Sequence, residues 1–397
     1  MAASQYLRPQ PNQPTAWLGG LTPKQFMSRH WQKRPLLVRG AFPRFKPPVS
    51  IADVLGLCTN DLAQSRLVTR QPGSGKKKTA DWTLLHGPFR KRDLPKITDP
   101  DWTVLVQQVN TLLPAADRFM DAFRFIPEAR LDDLMISVAG PEGGIGAHVD
   151  SYDVFLIQAA GQRRWEIAED FDATLQPNVP LKILQSFRAE HDWVLNAGDL
   201  LYLPPNIAHR GTAVGSGCMT CSVGFRAPGT LALADQAWGQ HLDGLEDANW
   251  QDPWLQATEQ PGRIPDRLLS ALTRKVMHAF PGRKAVQTAV AQVLSEPAPA
   301  AVFNLPKRPP GVVDFRRQAC KQGLRLSPAS RLLYANGEFF MNGEHIAGPC
   351  LGTTGQVLEQ LADSRGLSAA DVTRGSRNSE LVSLLHGMYR DGWIVYD

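Results

Sequence analysis

The stretch from residue 131 to 226 constrains this chain most. Short apolar runs, LMISVA, DVFLIQ, RRWEIA, WVLNAG, DLLYLPP and CMTCSVGF, are separated there by Gly, Pro, Asn and Asp. Runs that short, with helix-breaking flanks, read as strands, and several at regular spacing predict an antiparallel sandwich or barrel.

On either side the pattern changes. Before it, TPKQFMSRHWQKRPLLVRGAF reads as helix then strand, and TVLVQQVNTLLPAADRFMDAF as a helix, together a supporting layer. After Pro228, LALADQAWGQHLDGL, RIPDRLLSALTRKVMHAF and KAVQTAVAQVLSE place apolar residues at helical spacing over about 230–296. Such an apolar helical layer outside a β-rich core suits a symmetric dimer contact. A Pro-rich linker (297–311) leads to two further helices, TGQVLEQLADSRG and SELVSLLHGMYRDG, and a closing strand, DGWIVYD, an order that suggests a winged-helix-like module. Its second helix has few basic residues, which disfavours DNA binding. The chain is thus expected to be α+β: a β-rich part with N-terminal support (1–228), a helical region (229–300) and a winged-helix-like module (301–397).

Bulk properties exclude some classes. The N-terminus lacks the basic and apolar segments of a signal peptide, and no run reaches a membrane span, so a cytoplasmic location is the expectation. Five cysteines, at 58, 218, 221, 320 and 350, are an odd and scattered set that reads as reduced thiols. Cys218 and Cys221 form a C-x-x-C without the partners a zinc site needs. The net charge of +5 includes GSGKKK (73–78) and FRKRDLPK (89–96), either solvated loops or a surface for a nucleoprotein.

One stretch carries chemistry. His148 and Asp150 are two apart, so on an extended strand they project from one face and can chelate one cation. GDLLYLPPNIAHRG supplies His209 at the end of a strand-and-turn unit. Two histidines and a carboxylate occupy one face of an octahedron and leave three positions open, which suits iron(II) with a bidentate oxoacid and dioxygen. Zinc hydrolases share the ligand set. Arg163 in GQRRW favours the oxygenase, because a guanidinium can clamp the distal carboxylate of 2-oxoglutarate with two parallel hydrogen bonds. Ser137, on the strand before the glycine loop, has a hydroxyl for the same carboxylate. His191, in the polar, turn-like RAEHDW, is the rival third ligand and reads as a loop histidine. His30, His86, His241, His278, His345 and His386 read as structural.

These motifs identify a family. HWQKRPLLVRGAF, RLDDLMISVA, GGIGAHVDSYDVFLIQ, GQRRW, LYLPPNIAHRG and SVGFRAP resemble, in order, those of the bacterial ribosomal oxygenases, JmjC-domain proteins of the cupin superfamily. The resemblance implies a double-stranded β-helix core, a helical dimerisation region and a C-terminal winged helix. It implies iron held by His148, Asp150 and His209, and 2-oxoglutarate held by Arg163 with help from Ser137. The implied reaction, consuming dioxygen, hydroxylates the β-carbon of an arginine in large-subunit ribosomal protein sixteen.

An arginine pocket should offer a carboxylate and an apolar or aromatic wall. Asp133 and Met135 alternate with Ser137 on one strand face, and Tyr152 follows Asp150 at the same parity, so these can line one cavity with Ser222. Capping by Asp133 and core packing by Met135 and Tyr152 are the plainer alternatives. Other readings are hydroxylation of a histidine or of another ribosomal protein, and a non-catalytic cupin sensor that binds DNA.

Overall fold

Capping residues fix the first helices. Thr22 and Ser50 each accept the backbone N–H of the residue at the third helical position, Gln25 and Asp53, whose side chains bond back. Helices α1 (Pro23–Arg29) and α2 (Ile51–Leu57) start at these boxes, with β1 (Leu36–Val38) between them. Next come β2 (Ser65–Gln71), β3 (Asp81–His86), β4 (Trp102–Val106) and two short helices, α3 (Val109–Leu112) and α4 (Pro114–Met120). The computed structural model describes residues 6–71, 81–247, 249–347 and 352–397, so GSGKKK and Cys350 lie outside the described residues.

The helix expected over residues 103–123 is corrected here. Its first part is β4, buried along its whole length between β2 and β5. A run rich in β-branched residues that is covered on both faces is a sheet interior, and its lack of polar positions hid the period.

The barrel follows as β5 (Leu131–Ala139), β6 (His148–Val149), β7 (Val154–Ala168), β8 (His191–Asn196), β9 (Leu200–Leu203) and β10 (Ala208–Phe225). DVFLIQ and RRWEIA, read as separate strands, form the single β7, which pairs with β9 and then β8 on one edge and with β10 on the other. β10 shifts register between Val214 and Met219, and this irregularity turns both long strands from one half of the barrel into the other. The order β1-β9-β7-β10-β5-β4-β2-β3 is antiparallel throughout. The N-terminal layer closes one side through tilted ring contacts, with Phe26, Phe123 and Tyr202 around the fully buried Phe155. Beneath them Asp153, also fully buried, accepts from Tyr202 Oη (2.5 Å) and Gln32 Nε2 (3.1 Å).

Helices α5 (Thr230–Asp243), α6 (Asp266–His278) and α7 (Arg283–Ser295) occupy the expected helical region. The remaining elements are α8 (Val312–Gln322), β11 (Leu324–Leu326), β12 (Leu332–Ala335), β13 (Glu338–Met341), β14 (Glu344–His345), α9 (Thr353–Ser364), β15 (Gly366–Leu367), α10 (Ala369–Gly375), α11 (Ser379–Arg390) and β16 (Ile394–Tyr396). The two expected helices are α9 and α11, and the closing strand is β16. They share a separate core built on Phe315, Leu358, Leu385 and Ile394. No described helix is long and apolar enough to cross a membrane.

Glu128 fastens this module to the catalytic half. It accepts from Arg124 Nε at 2.9 Å and lies 3.5 Å from Arg365 Nη1. Burial opposes its charge, yet Arg124, Arg365 and Arg331 together hold its carboxyl down to about 2. An unfolded chain protonates it near 4.5, so the stabilisation is complete above that pH and is lost as pH falls from 4.5 towards 2. Its size is about 3 kcal/mol. Denaturant unfolding of Glu128→Gln is expected to show lower stability at pH 7 and a flatter pH dependence in that window. Equal slopes in variant and wild type would refute the assignment.

Candidate metal centre

Strand register creates the centre. His148 on β6 lies directly opposite His209 on β10, and their ring centroids are 4.2 Å apart. Asp150 follows in the turn after β6, its Oδ2 3.6 Å from His209 Nε2 and 3.9 Å from His148 Nε2. One ligand atom from each residue lies within 4.8 Å of the others. Each imidazole has its Nδ1 on a backbone carbonyl, His148 on Gly146 (3.1 Å) and His209 on Ile207 (2.9 Å). That bond fixes the tautomer with hydrogen on Nδ1 and leaves both Nε2 lone pairs facing Asp150, an arrangement suited to a divalent transition metal. Burial, then the neighbouring His148, pushes His209 down to about 4, so its ring is neutral and able to ligate at pH 7.

Two glycines permit this approach. A Cβ at Gly211 would sit 2.7 Å from the ring of Trp165, its cross-strand partner. A Cβ at Gly144 would strike the Gly211 carbonyl, so the glycine loop delivering His148 rests directly on β10.

The triad opens into a cavity of about 170 Å³, and every other site residue read from the sequence lines it: Arg163, Ser137, Asp133, Met135, Tyr152 and Ser222. Register explains the grouping. Ser137 lies opposite Thr220 on one side and Leu105 on the other, and Met135 lies opposite Ser222. Residues directly across a sheet share a face. Thr220, Leu105, Thr103 and Trp165 also line the cavity and escaped the sequence reading. Trp165 stood inside the GQRRW motif; the others depend on sheet order, which no local pattern reveals.

Arg163 is 5% exposed. Its Nε donates to Cys218 Sγ at 3.3 Å and its guanidinium lies 5.8 Å from the Trp165 ring centroid. Nη2 is buried without any partner. A buried N–H left unpaired costs about 1–3 kcal/mol, more on a charged group, so this donor fits an anionic ligand that brings acceptors into the cavity.

Asp133 is held by one backbone donor and is strongly desolvated. Its Oδ2 accepts the Gln108 N–H at 2.7 Å, a bond to the residue that precedes α3. Burial, then the charge of Asp132, pushes its carboxyl up to about 6. Tyr152 is 38% exposed at the cavity edge, and burial, then Asp150, raises its phenol well above the ordinary value.

His191 is corrected from loop to strand. It begins β8, exposed, and stacks on Trp193 with centroids 5.1 Å apart. His86 and His345 are also on strands. Cys58, Cys218 and Cys221 are buried free thiols. In FRKRDLPK, Arg90 and Arg92 both pair with Asp93 on an exposed turn.

A JmjC domain model matches residues 118–233 and a ROXA-like winged helix model matches residues 275–394. The ribosomal protein uL16 3-hydroxylase of Escherichia coli strain K12 is 31% identical over 94% of this chain and 97% of its own length. The chain belongs to the JmjC ribosomal oxygenases. A crystal structure of E. coli YcfD superposes on this oxygenase with a TM-score of 0.83 and 30% identity, covering 95% of this chain and 98% of that one. A structure described as the E. coli ribosomal oxygenase YcfD in complex with cobalt and 2-oxoglutarate, 30% identical over the same shares, gives 0.77.

Proposed function

We propose that this ribosomal oxygenase is an iron(II)- and 2-oxoglutarate-dependent dioxygenase that hydroxylates an arginine of ribosomal protein uL16 at its β-carbon. The observation that carries the reading is the buried, unpartnered Nη2 of Arg163 in the cavity that also holds the His148, Asp150 and His209 triad. The hydroxylase name of the E. coli relative and the cobalt and 2-oxoglutarate of its solved counterpart support it.

Iron(II), 2-oxoglutarate and dioxygen together supply the oxidising power, inserting one oxygen into a C–H bond as 2-oxoglutarate becomes succinate and carbon dioxide. The protein's part is placement. His148, Asp150 and His209 hold the metal through two neutral nitrogens and one carboxylate. Arg163 receives the distal carboxylate of the co-substrate, with Ser137 beside it. Cys218, a weak acceptor, orients the guanidinium at Nε without competing for its charge. Asp133, Met135, Tyr152 and Ser222 form the substrate wall. A carboxylate raised by desolvation gains most from an incoming cation, and a guanidinium supplies that cation with matching geometry.

The division into 1–228, 229–300 and 301–397, and a homodimer through the helical region, go with this reading. The exposed Leu269, Val276 and Met277 of α6 support the dimer, which light scattering in solution tests. A ribosomal substrate places the enzyme in the cytoplasm.

The deciding experiment is intact-mass analysis of uL16 incubated with the enzyme, iron(II) and 2-oxoglutarate. A gain of about one oxygen per chain, localised to an arginine, is expected; an unmodified uL16, or oxygen on a histidine, sinks the assignment. Asp133→Asn keeps an acceptor for Gln108 and removes the charge. It is expected to lower kcat/KM for an arginine peptide by roughly 30-fold or more, with 2-oxoglutarate binding retained. Undiminished turnover would remove Asp133 from the substrate wall.

A further inference from the structure

The terminal module meets the catalytic half at the strand that carries the acidic end of the cavity. Arg331, just before β12, is 6% exposed. Its Nη1 donates to the carbonyls of Leu131 (2.6 Å) and Glu128 (3.2 Å), and its Nη2 to that of Asp132 (2.9 Å). These carbonyls belong to the turn before β5 and its first two residues. The next residue is Asp133, and Asp132 and Asp133 both line the cavity. A planar fork that addresses three carbonyls sets the orientation of that backbone, which a point charge would not.

Arg331 is itself held from its own side. Its N–H donates to Asn342 Oδ1 (2.8 Å), and its carbonyl accepts from the Asn342 N–H (3.0 Å). Arg365, at the end of α9 with a left-handed backbone (φ 56°), donates to the carbonyls of Ser330 (3.0 Å) and Ser327 (3.1 Å). The loop that presents Arg331 is therefore fastened along its length. From the barrel side Arg226 Nε donates to Asp132 Oδ1 at 3.3 Å. Between the two halves only a small cavity of about 20 Å³ remains, bordered by Asp132, Asp133, Ala329 and Arg331.

We propose that the terminal module is a positioning device for the substrate wall, with Arg331 holding residues 128–132 so that the carboxylate of Asp133 faces the cavity. Arg331 touches neither substrate nor metal; it is a positioning residue. The inference rests on the reading of Asp133 as the group that receives the substrate cation.

The test uses the full chain with Arg331→Met, which removes the donors, and Arg331→Lys, which keeps the charge beside Glu128. Amide hydrogen exchange over residues 131–136 of the Met variant is expected to speed up by about tenfold or more, while β7 and β10 stay protected. KM for an arginine peptide is expected to rise by about tenfold or more, with the Kd for 2-oxoglutarate in the presence of Mn(II) unchanged. Arg331→Lys should shift both readouts in the same direction by less, and it decides the matter if the Met variant does not fold. Unchanged exchange in a folded variant overturns the proposal, as does a loss of 2-oxoglutarate binding that matches the loss of peptide binding. If the wild-type enzyme modifies no arginine peptide, the substrate assignment fails by itself, and the exchange measurement alone decides whether the clamp exists.

Discussion

Replacing His148 or Asp150 with alanine is expected to abolish substrate-coupled succinate formation, by roughly a thousandfold or more, while the chain stays folded. One lost ligand out of three removes both metal affinity and the fixed geometry of the remaining positions, and about 4 kcal/mol of lost barrier reduction is a thousandfold in rate. The fold should tolerate the change because both side chains are only partly buried and the one hydrogen bond of the His148 ring is to a carbonyl two residues away. His209 is the harsher site, since its ring is 3% exposed and its removal would leave a void. Calorimetric titration with Mn(II) should show lost metal binding at an unchanged thermal midpoint. A variant that keeps a tenth of the coupled turnover would dismiss the triad as the metal centre.

The second large effect is expected at Arg163. Arg163→Met keeps much of the side-chain volume and removes every donor. KM for 2-oxoglutarate should rise by roughly 100-fold, because losing one member of a buried, hydrogen-bonded charge pair costs about 2–5 kcal/mol. Arg163→Lys retains the charge but not the fork, and is expected to recover only part of the affinity. Metal binding should be unaffected, since Arg163 is no neighbour of the ligand atoms in sequence and its bonds go to Cys218. A normal KM with 2-oxoglutarate in the methionine variant would mean that the co-substrate's carboxylate is held elsewhere.

These predictions were legible from the sequence to unequal degrees. The ligand triad and Arg163 could be read because each belongs to a local pattern: two residues on one strand face, a histidine after a proline turn, an arginine on the next strand. Asp133, Met135 and Ser137 followed from strand parity. Thr220 and Leu105 did not, because each reaches the cavity only through its register with Ser137, and that register pairs strands far apart in the chain. The misread stretch at residues 103–123 has a related cause, since a strand buried on both faces has no alternation to reveal it.

The amino-acid order alone brought out a His148, Asp150 and His209 set that can hold a metal and the Arg163 that lines the same cavity, and the succession of β-rich, helical and winged-helix-like parts, since both are written in short-range spacing. Tertiary structure decided what that spacing cannot encode. It placed His148 opposite His209, left one Arg163 nitrogen buried without a partner, and set Arg331 of the terminal module against the backbone of β5. Those facts arise from contacts between residues tens to hundreds of positions apart, whose energies depend on burial and register rather than on neighbours along the chain.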